Sequence, residues 1–199
     1  VFSIFLLFNS VEQIGESSGI ENINEYLSNF APLFIASMLS LSCPAASAIS
    51  LEGKNIWILQ SSPVKVKMIL NSKIAVNLTL HLMGYMISIF AFMLKLDMNF
   101  IQVINLIIVP ICYSFFITVI GISLNKKYPN YEWESEMMVV KQSMPVIVSG
   151  LVGIIALITP IPLNWFLNLP ITLVLQIISV TLLVISSEVY IKVSKSNFI

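Results

Sequence analysis

Long apolar runs separated by short polar connections dominate the chain. Crossing roughly 30 Å of hydrocarbon takes about 20 residues at ~1.5 Å rise each, because lipid offers no partner to an unpaired backbone group. Five runs reach that length, at 30–50, 75–94, 101–124, 145–163 and 169–191, and 1–8 reads as the tail of a sixth. The fold class this predicts is an all-α membrane protein, a polytopic bundle of six spans forming one transmembrane domain over 1–199, its first span truncated. The opening "VFSIFLLF" has no basic region ahead of it, which fits a secretory signal poorly and predicts a fragment.

Prolines punctuate these runs. Pro145 and Pro170 stand at the start of two, where a missing N–H costs nothing and a fixed φ suits the first helical turn. Pro44 and Pro110 lie well inside theirs and predict kinks. The connections alternate in charge. Segment 9–29 carries Glu12, Glu16, Glu21 and Glu25 without a lysine, 95–100 carries Lys95 and Asp97, and 164–168 carries no charge. Segment 51–74 holds Lys54, Lys65, Lys67 and Lys73, 125–144 holds Lys126, Lys127 and Lys141, and the tail holds Lys192 and Lys195. Loops retained in the cytoplasm carry the positive excess. The expectation is therefore that 51–74, 125–144 and the C-terminus are cytoplasmic, in a multi-pass protein of a plasma membrane.

Composition narrows the function classes. Hydrophobic residues make up 57% of the chain and charged residues 10%, against roughly 25% charged in a soluble domain. The ten lysines are scattered and there is no arginine, so no basic face exists for a phosphate backbone, and nucleic acid is excluded as a partner. Cys43 and Cys112 fall in apolar runs and read as small buried hydrophobes. No GxxxxGK[ST] loop occurs, so the chain has no nucleotide cradle of the usual kind and is not expected to be an enzyme. His81 is the only histidine, so no metal cluster is expected. Proton- or sodium-coupled transport usually needs carboxylates in mid-span. None is present; Glu188 lies near the lysine-bearing end of its run and either snorkels or pairs with Lys192. His81, with Asn77 one turn earlier, either lines a polar pathway or makes a satisfied interhelical hydrogen bond.

Residues 50–74 read "SLEGKNIWILQSSPVKVKMILNSKI". Within them 52–60 has an amphipathic pattern too short to span, and Ser61–Ser62–Pro63 offers an N-cap and an N1 proline for a new helix. On its own this stretch reads as an interfacial hairpin anchored by lysines. Its order of an acidic residue, a glycine, a hydrophobic patch, a proline and a lysine resembles the first cytoplasmic loop of type-2 ABC exporter permeases. In this sequence those are Glu52, Gly53, Ile56 to Leu59, Pro63 and Lys73. The second polar connection, "GISLNKKYPNYEWESEMMVVKQSMPV", is similar to that of an ABC exporter group of low-GC Gram-positive bacteria. The six-span layout with both ends inside extends the likeness, whereas the connection "PLNWFLNLP" is short for the re-entrant helices of some relatives.

The resemblance implies a permease subunit that moves substrate by alternating access, driven by a separate ATPase subunit that carries the ATP, and paired with a second permease subunit as homo- or heterodimer. It implies ATPase docking by Glu52, Gly53, Lys54, Ile56, Trp57, Leu59 and Gln60 on the first loop and by Tyr131, Trp133 and Glu134 on the second. Hot spots tend to be aromatic anchors ringed by polar residues; the competing placements are a membrane-interface tryptophan for Trp57 and a solvated acidic turn for 130–136. The alternative function is a secondary transporter or a non-transporting membrane scaffold with no ATPase partner. Small residues concentrate at 36–48 and 149–153, where they allow close helix approach, chiefly within one subunit.

Overall fold

The computed structural model describes residues 23–195. The partial span at 1–8 and the acidic residues Glu12, Glu16 and Glu21 lie outside the described residues. Helix α1 (Ile23–Leu41) ends just before Cys43 and Pro44. A proline clashes with the helical conformation of the residue before it, and Cys43 sits at φ −123°, ψ 78°. The kink expected inside 30–50 is thus a break, followed by 3-10 turns at Pro44–Ala46 and Ser50–Asn55. The same effect acts at Ser62, which precedes Pro63 and is extended (ψ 141°), so the short helix α2 (Ile56–Ser61) stops there. Helix α3 begins at Val66 and runs to Lys95, three residues beyond the start expected at Pro63.

Helix α4 (Phe100–Lys127) runs through Pro110 unbroken. Its start is tied down by Gln102, which accepts from the Asn99 N–H (2.8 Å) and donates to Asn29 of α1 (2.8 Å). Helix α5 (Glu136–Gln142) leads into α6 (Met144–Ile158). The expected span 145–163 is interrupted at Thr159 by Pro160, which opens α7 (Pro160–Leu167). Asn168, in the left-handed region at φ 50°, ends α7, and α8 (Ile171–Lys195) follows Pro170.

Every described element is helical or irregular, and none is a strand. Five helical stretches among the described residues are long and apolar enough to cross a membrane: Ile23–Leu59, Val66–Lys95, Phe100–Lys127, Glu136–Leu167 and Ile171–Lys195. The first and fourth are composite, being interrupted at Pro44 and Pro160. Helix α4 lies at the centre, packed by α1, α3, α6 and α8. Its Val109, Tyr113 and Phe116 meet Leu33 and Ala36 of α1, Ala156 of α6 and Val174, Leu175, Ile178 and Leu182 of α8 in the main core. The small-residue segments do meet within the one chain: a Cβ on Gly153 would lie 3.3 Å from the Ser40 carbonyl.

Hydrogen bonds sort the connections onto two ends. At one end Asn24 and Ser28 donate to the Asp97 carbonyl, and Asn105 donates to that of Thr172. At the other, Trp133 donates to the Ser50 carbonyl, Tyr190 to Asn71, and Lys126 to the carbonyl of Val193. The lysine-rich connections and the end of α8 therefore share one end of the bundle, in the alternation the lysine pattern predicts.

Candidate functional site

A helix broken inside an apolar bundle frees backbone groups that lipid cannot satisfy. Between Ser42 and Ser50 five backbone groups are met by side chains from α3 and α4. His81 Nε2 lies 2.5 Å from the Ser42 carbonyl, and Nδ1 lies 2.7 Å from Ser114 Oγ. A carbonyl only accepts, so Nε2 carries the proton and Nδ1 accepts from the serine hydroxyl. Asn77 Oδ1 accepts from the Ala45 N–H (3.1 Å), while its Nδ2 donates to Thr118 Oγ1 (2.6 Å). The Thr118 hydroxyl in turn donates to the Ser114 carbonyl (2.6 Å). Lys73 Nζ donates to the Ala48 carbonyl (2.7 Å) and to Glu52 Oε1 (2.5 Å). Asn125 Oδ1 accepts from the N–H groups of both Ile49 (2.6 Å) and Ser50 (3.1 Å).

This places the two pathway candidates. Asn77 and His81 are buried, 1% and 5% exposed, and both ends of each side chain are engaged within the fold. His81 also lies on the wall of an apolar groove of about 680 Å³ with Leu39, Leu82, Tyr85 and Ile111. The interhelical hydrogen bond expected as one reading is present, and the position on the groove wall leaves the pathway reading open beside it. Close approach supports the same junction: a Cβ on Gly121 of α4 would fall 2.6 Å from Cys43 Sγ and 3.1 Å from the Ala46 nitrogen.

The two polar connections, read separately from the sequence, meet at Ser50, which is fully buried. Its Oγ accepts from Asn125 Nδ2 (2.7 Å) and from the Asn130 N–H (3.0 Å), and its carbonyl accepts from Trp133 Nε1 (2.8 Å). Gly53 turns the chain at φ 52°, ψ −135°, a conformation open to glycine alone. The Trp133 ring covers it, 3.1 Å from where a Cβ would stand. Glu52 pairs with Lys73, their side chains 34% and 16% exposed.

On α2 the "IWIL" patch divides. Ile56 packs on a cluster of Ala45, Ile49, Leu70, Ile74 and Ile122. Leu59 lines a groove against Val64, Met68 and Ile69. Trp57 and Ile58 face outward, 62% and 52% exposed. Lys54 and Glu134 are exposed, and the side chain of Gln60 lies outside what is described. Tyr131 packs against the same cluster as Ile56, and burial pushes its phenol above its ordinary pKa. Glu188 is exposed and makes no ion pair with Lys192 among the described residues.

The residues that hold this site all fall within a stretch covered by one known family. A family model described as "Putative ATP-binding cassette" matches residues 41–197. The chain belongs to that family. No curated protein and no solved structure matches it. The ATP-binding cassette match begins at the last residue of α1 and takes in the broken helix, both polar connections and α8. Membership and five span-like helices together fit a transport role in a membrane-embedded protein.

Sequence reasoning missed Asn125, Ser50 and the bridging role of Lys73. A lone asparagine at the end of an apolar run carries a signal, since such residues act as polar glue between helices. Which backbone groups it would meet depends on the break at Pro44, 81 residues earlier.

Proposed function

We propose that this chain is the permease subunit of an ABC exporter in a bacterial plasma membrane, the exporter being of the type-2 class. Spans move substrate by alternating access, and ATP is bound and hydrolysed by a separate ATPase subunit rather than here. A second permease subunit, identical or homologous, completes the transporter. The lysine-rich end, with both polar connections and the C-terminus, faces the cytoplasm.

The observation that carries this reading is the seating of the first connection. A six-residue helix has little stability alone, yet α2 is fixed at its base by Ser50 and Gly53 and presents Trp57 and Ile58 outward. An exposed aromatic on a rigid mount, preceded in the chain by the exposed polar residues Lys54 and Asn55, suits insertion into a groove of the ATPase. The family match supports a transporter of the ATP-binding cassette kind, and the lack of a GxxxxGK[ST] loop in this sequence is the ground for placing hydrolysis on another chain.

The test is recovery of the ATPase with wild type, Trp57→Ala and Trp57→Tyr at equal membrane abundance. Loss of the anchor costs about 2 kcal/mol of association, roughly thirtyfold, so Trp57→Ala recovers far less ATPase and Trp57→Tyr an intermediate amount. Equal recovery in all three removes Trp57 from the docking site. Specific ATP binding by the permease alone contradicts the division of labour.

A further inference from the structure

The two polar connections are unequal in what they expose. On the first, Trp57 and Ile58 point away from the bundle; on the second, Trp133 and Tyr131 are turned inward and half-buried. We infer that the second connection is a buttress for the first, with Trp133 as a positioning residue, and that a push on α2 reaches the central helix α4 through Gly53, Trp133, Ser50 and Asn125. This rests on the permease reading above and assigns a route for the motion that reading requires.

Two routes lead from α2 into the bundle. Toward α3 the chain passes through the irregular segment 62–65; Ile56 and Leu59 pack against apolar residues of α3, and the hydrogen-bonded link among the described residues is Lys73, bonded to Glu52 and to the Ala48 carbonyl. That ion pair is partly exposed, so solvent and salt weaken it. Toward α4 the link is multiple, its two bonds to Asn125 buried and those to Asn130 and Trp133 part-buried. The N–H, carbonyl and hydroxyl of Ser50 all bond to groups of residues 125–133, three residues from a glycine that the Trp133 ring covers. The Trp133 ring takes up the space that a side chain at residue 53 would need, and Ser50 cannot leave Asn125 without stranding buried polar groups. A contiguous hydrogen-bonded path of this kind carries coupling when the elements it joins have two discrete arrangements, which the exchange experiment below tests. Because α4 contacts α1, α3, α6 and α8, it is the helix whose movement repacks the most of the bundle.

The route predicts that Trp133 controls how loop motion is passed on, not whether the ATPase binds. The experiment uses the full-length protein in nanodiscs, with and without the ATPase that co-purifies with wild type. Hydrogen exchange is followed at the amides of 50–58 and at the α4 end, 125–129. In the permease alone, Trp133→Leu raises exchange at 50–55 by tenfold or more. Trp133→Phe, which keeps a ring over Gly53 but loses the bond to Ser50, gives a smaller rise. Trp165→Leu, at the far end of the bundle, changes nothing there. In the complex, a non-hydrolysable ATP analogue alters exchange at 125–129 in wild type, and Trp133→Leu abolishes that response while ATPase recovery stays within twofold. Unchanged exchange at 50–55 in Trp133→Leu overturns the buttress. ATPase recovery falling as far as with Trp57→Ala overturns it too, by placing Trp133 in the docking contact. If wild type recovers no ATPase, the permease reading and the route of force fail together, while the exchange arm still decides whether Trp133 holds the first connection.

Discussion

The Tyr113 hydroxyl donates to the Ala156 carbonyl at 2.9 Å, deep in the bundle between α4 and α6. In an uninterrupted helix that carbonyl would accept from residue 160, which is Pro160 and has no N–H. Tyr113, fully buried, supplies the missing donor from a neighbouring helix. Tyr113→Phe keeps the ring and strands the carbonyl, at a cost of about 1 kcal/mol, the usual scale for a hydrogen bond between membrane helices. Thermal unfolding in detergent should show a modest fall for Tyr113→Phe and a larger one for Tyr113→Ala, which also opens a cavity. Identical melting of Tyr113→Phe and wild type would show that another group satisfies Ala156.

His81 separates a structural role from a pathway role. His81→Ala strands the Ser42 carbonyl and the Ser114 hydroxyl, a loss of about 2 kcal/mol or more. His81→Gln can still donate to one and accept from the other, so it should retain much of the stability. Melting temperatures of the three proteins in the same detergent check this. A His81→Ala protein as stable as wild type would show that these two bonds do not hold the junction.

Gly121 is where α4 meets the broken helix most closely. Gly121→Ala forces a methyl against Cys43 Sγ and the Ala46 nitrogen, and overpacking of this kind costs about 1–3 kcal/mol. Cys43→Ala removes the nearest clash, so the double variant Gly121→Ala, Cys43→Ala should recover part of the loss. A double variant no better than the sum of its parts would place the strain on the backbone at Ala46 instead.

The proposed orientation has its own test. A membrane-impermeant thiol reagent added to whole cells should label Asp97→Cys, which is exposed at the lysine-poor end, and should miss Ser62→Cys and Ser135→Cys. Labelling of the latter two, with Asp97→Cys protected, would invert the layout.

Helix class and the alternation of ends were legible in the sequence because both are set locally. Apolar length decides whether a segment lies in lipid, and lysines accumulate at one end whatever the helices pack against. Proline positions announced the interruptions at Pro44 and Pro63, although a break rather than a kink at Pro44 followed from the non-helical Cys43. Amphipathic spacing marked 52–60 but could not divide Trp57 and Ile58, which face out, from Ile56 and Leu59, which face in. Only the tertiary structure decided the partners. Asn125 meets Ile49 and Ser50 across 75 residues or more, and Trp133 covers Gly53. A broken helix frees backbone groups at positions that local sequence reveals, but which side chains reach them depends on how the helices are arranged.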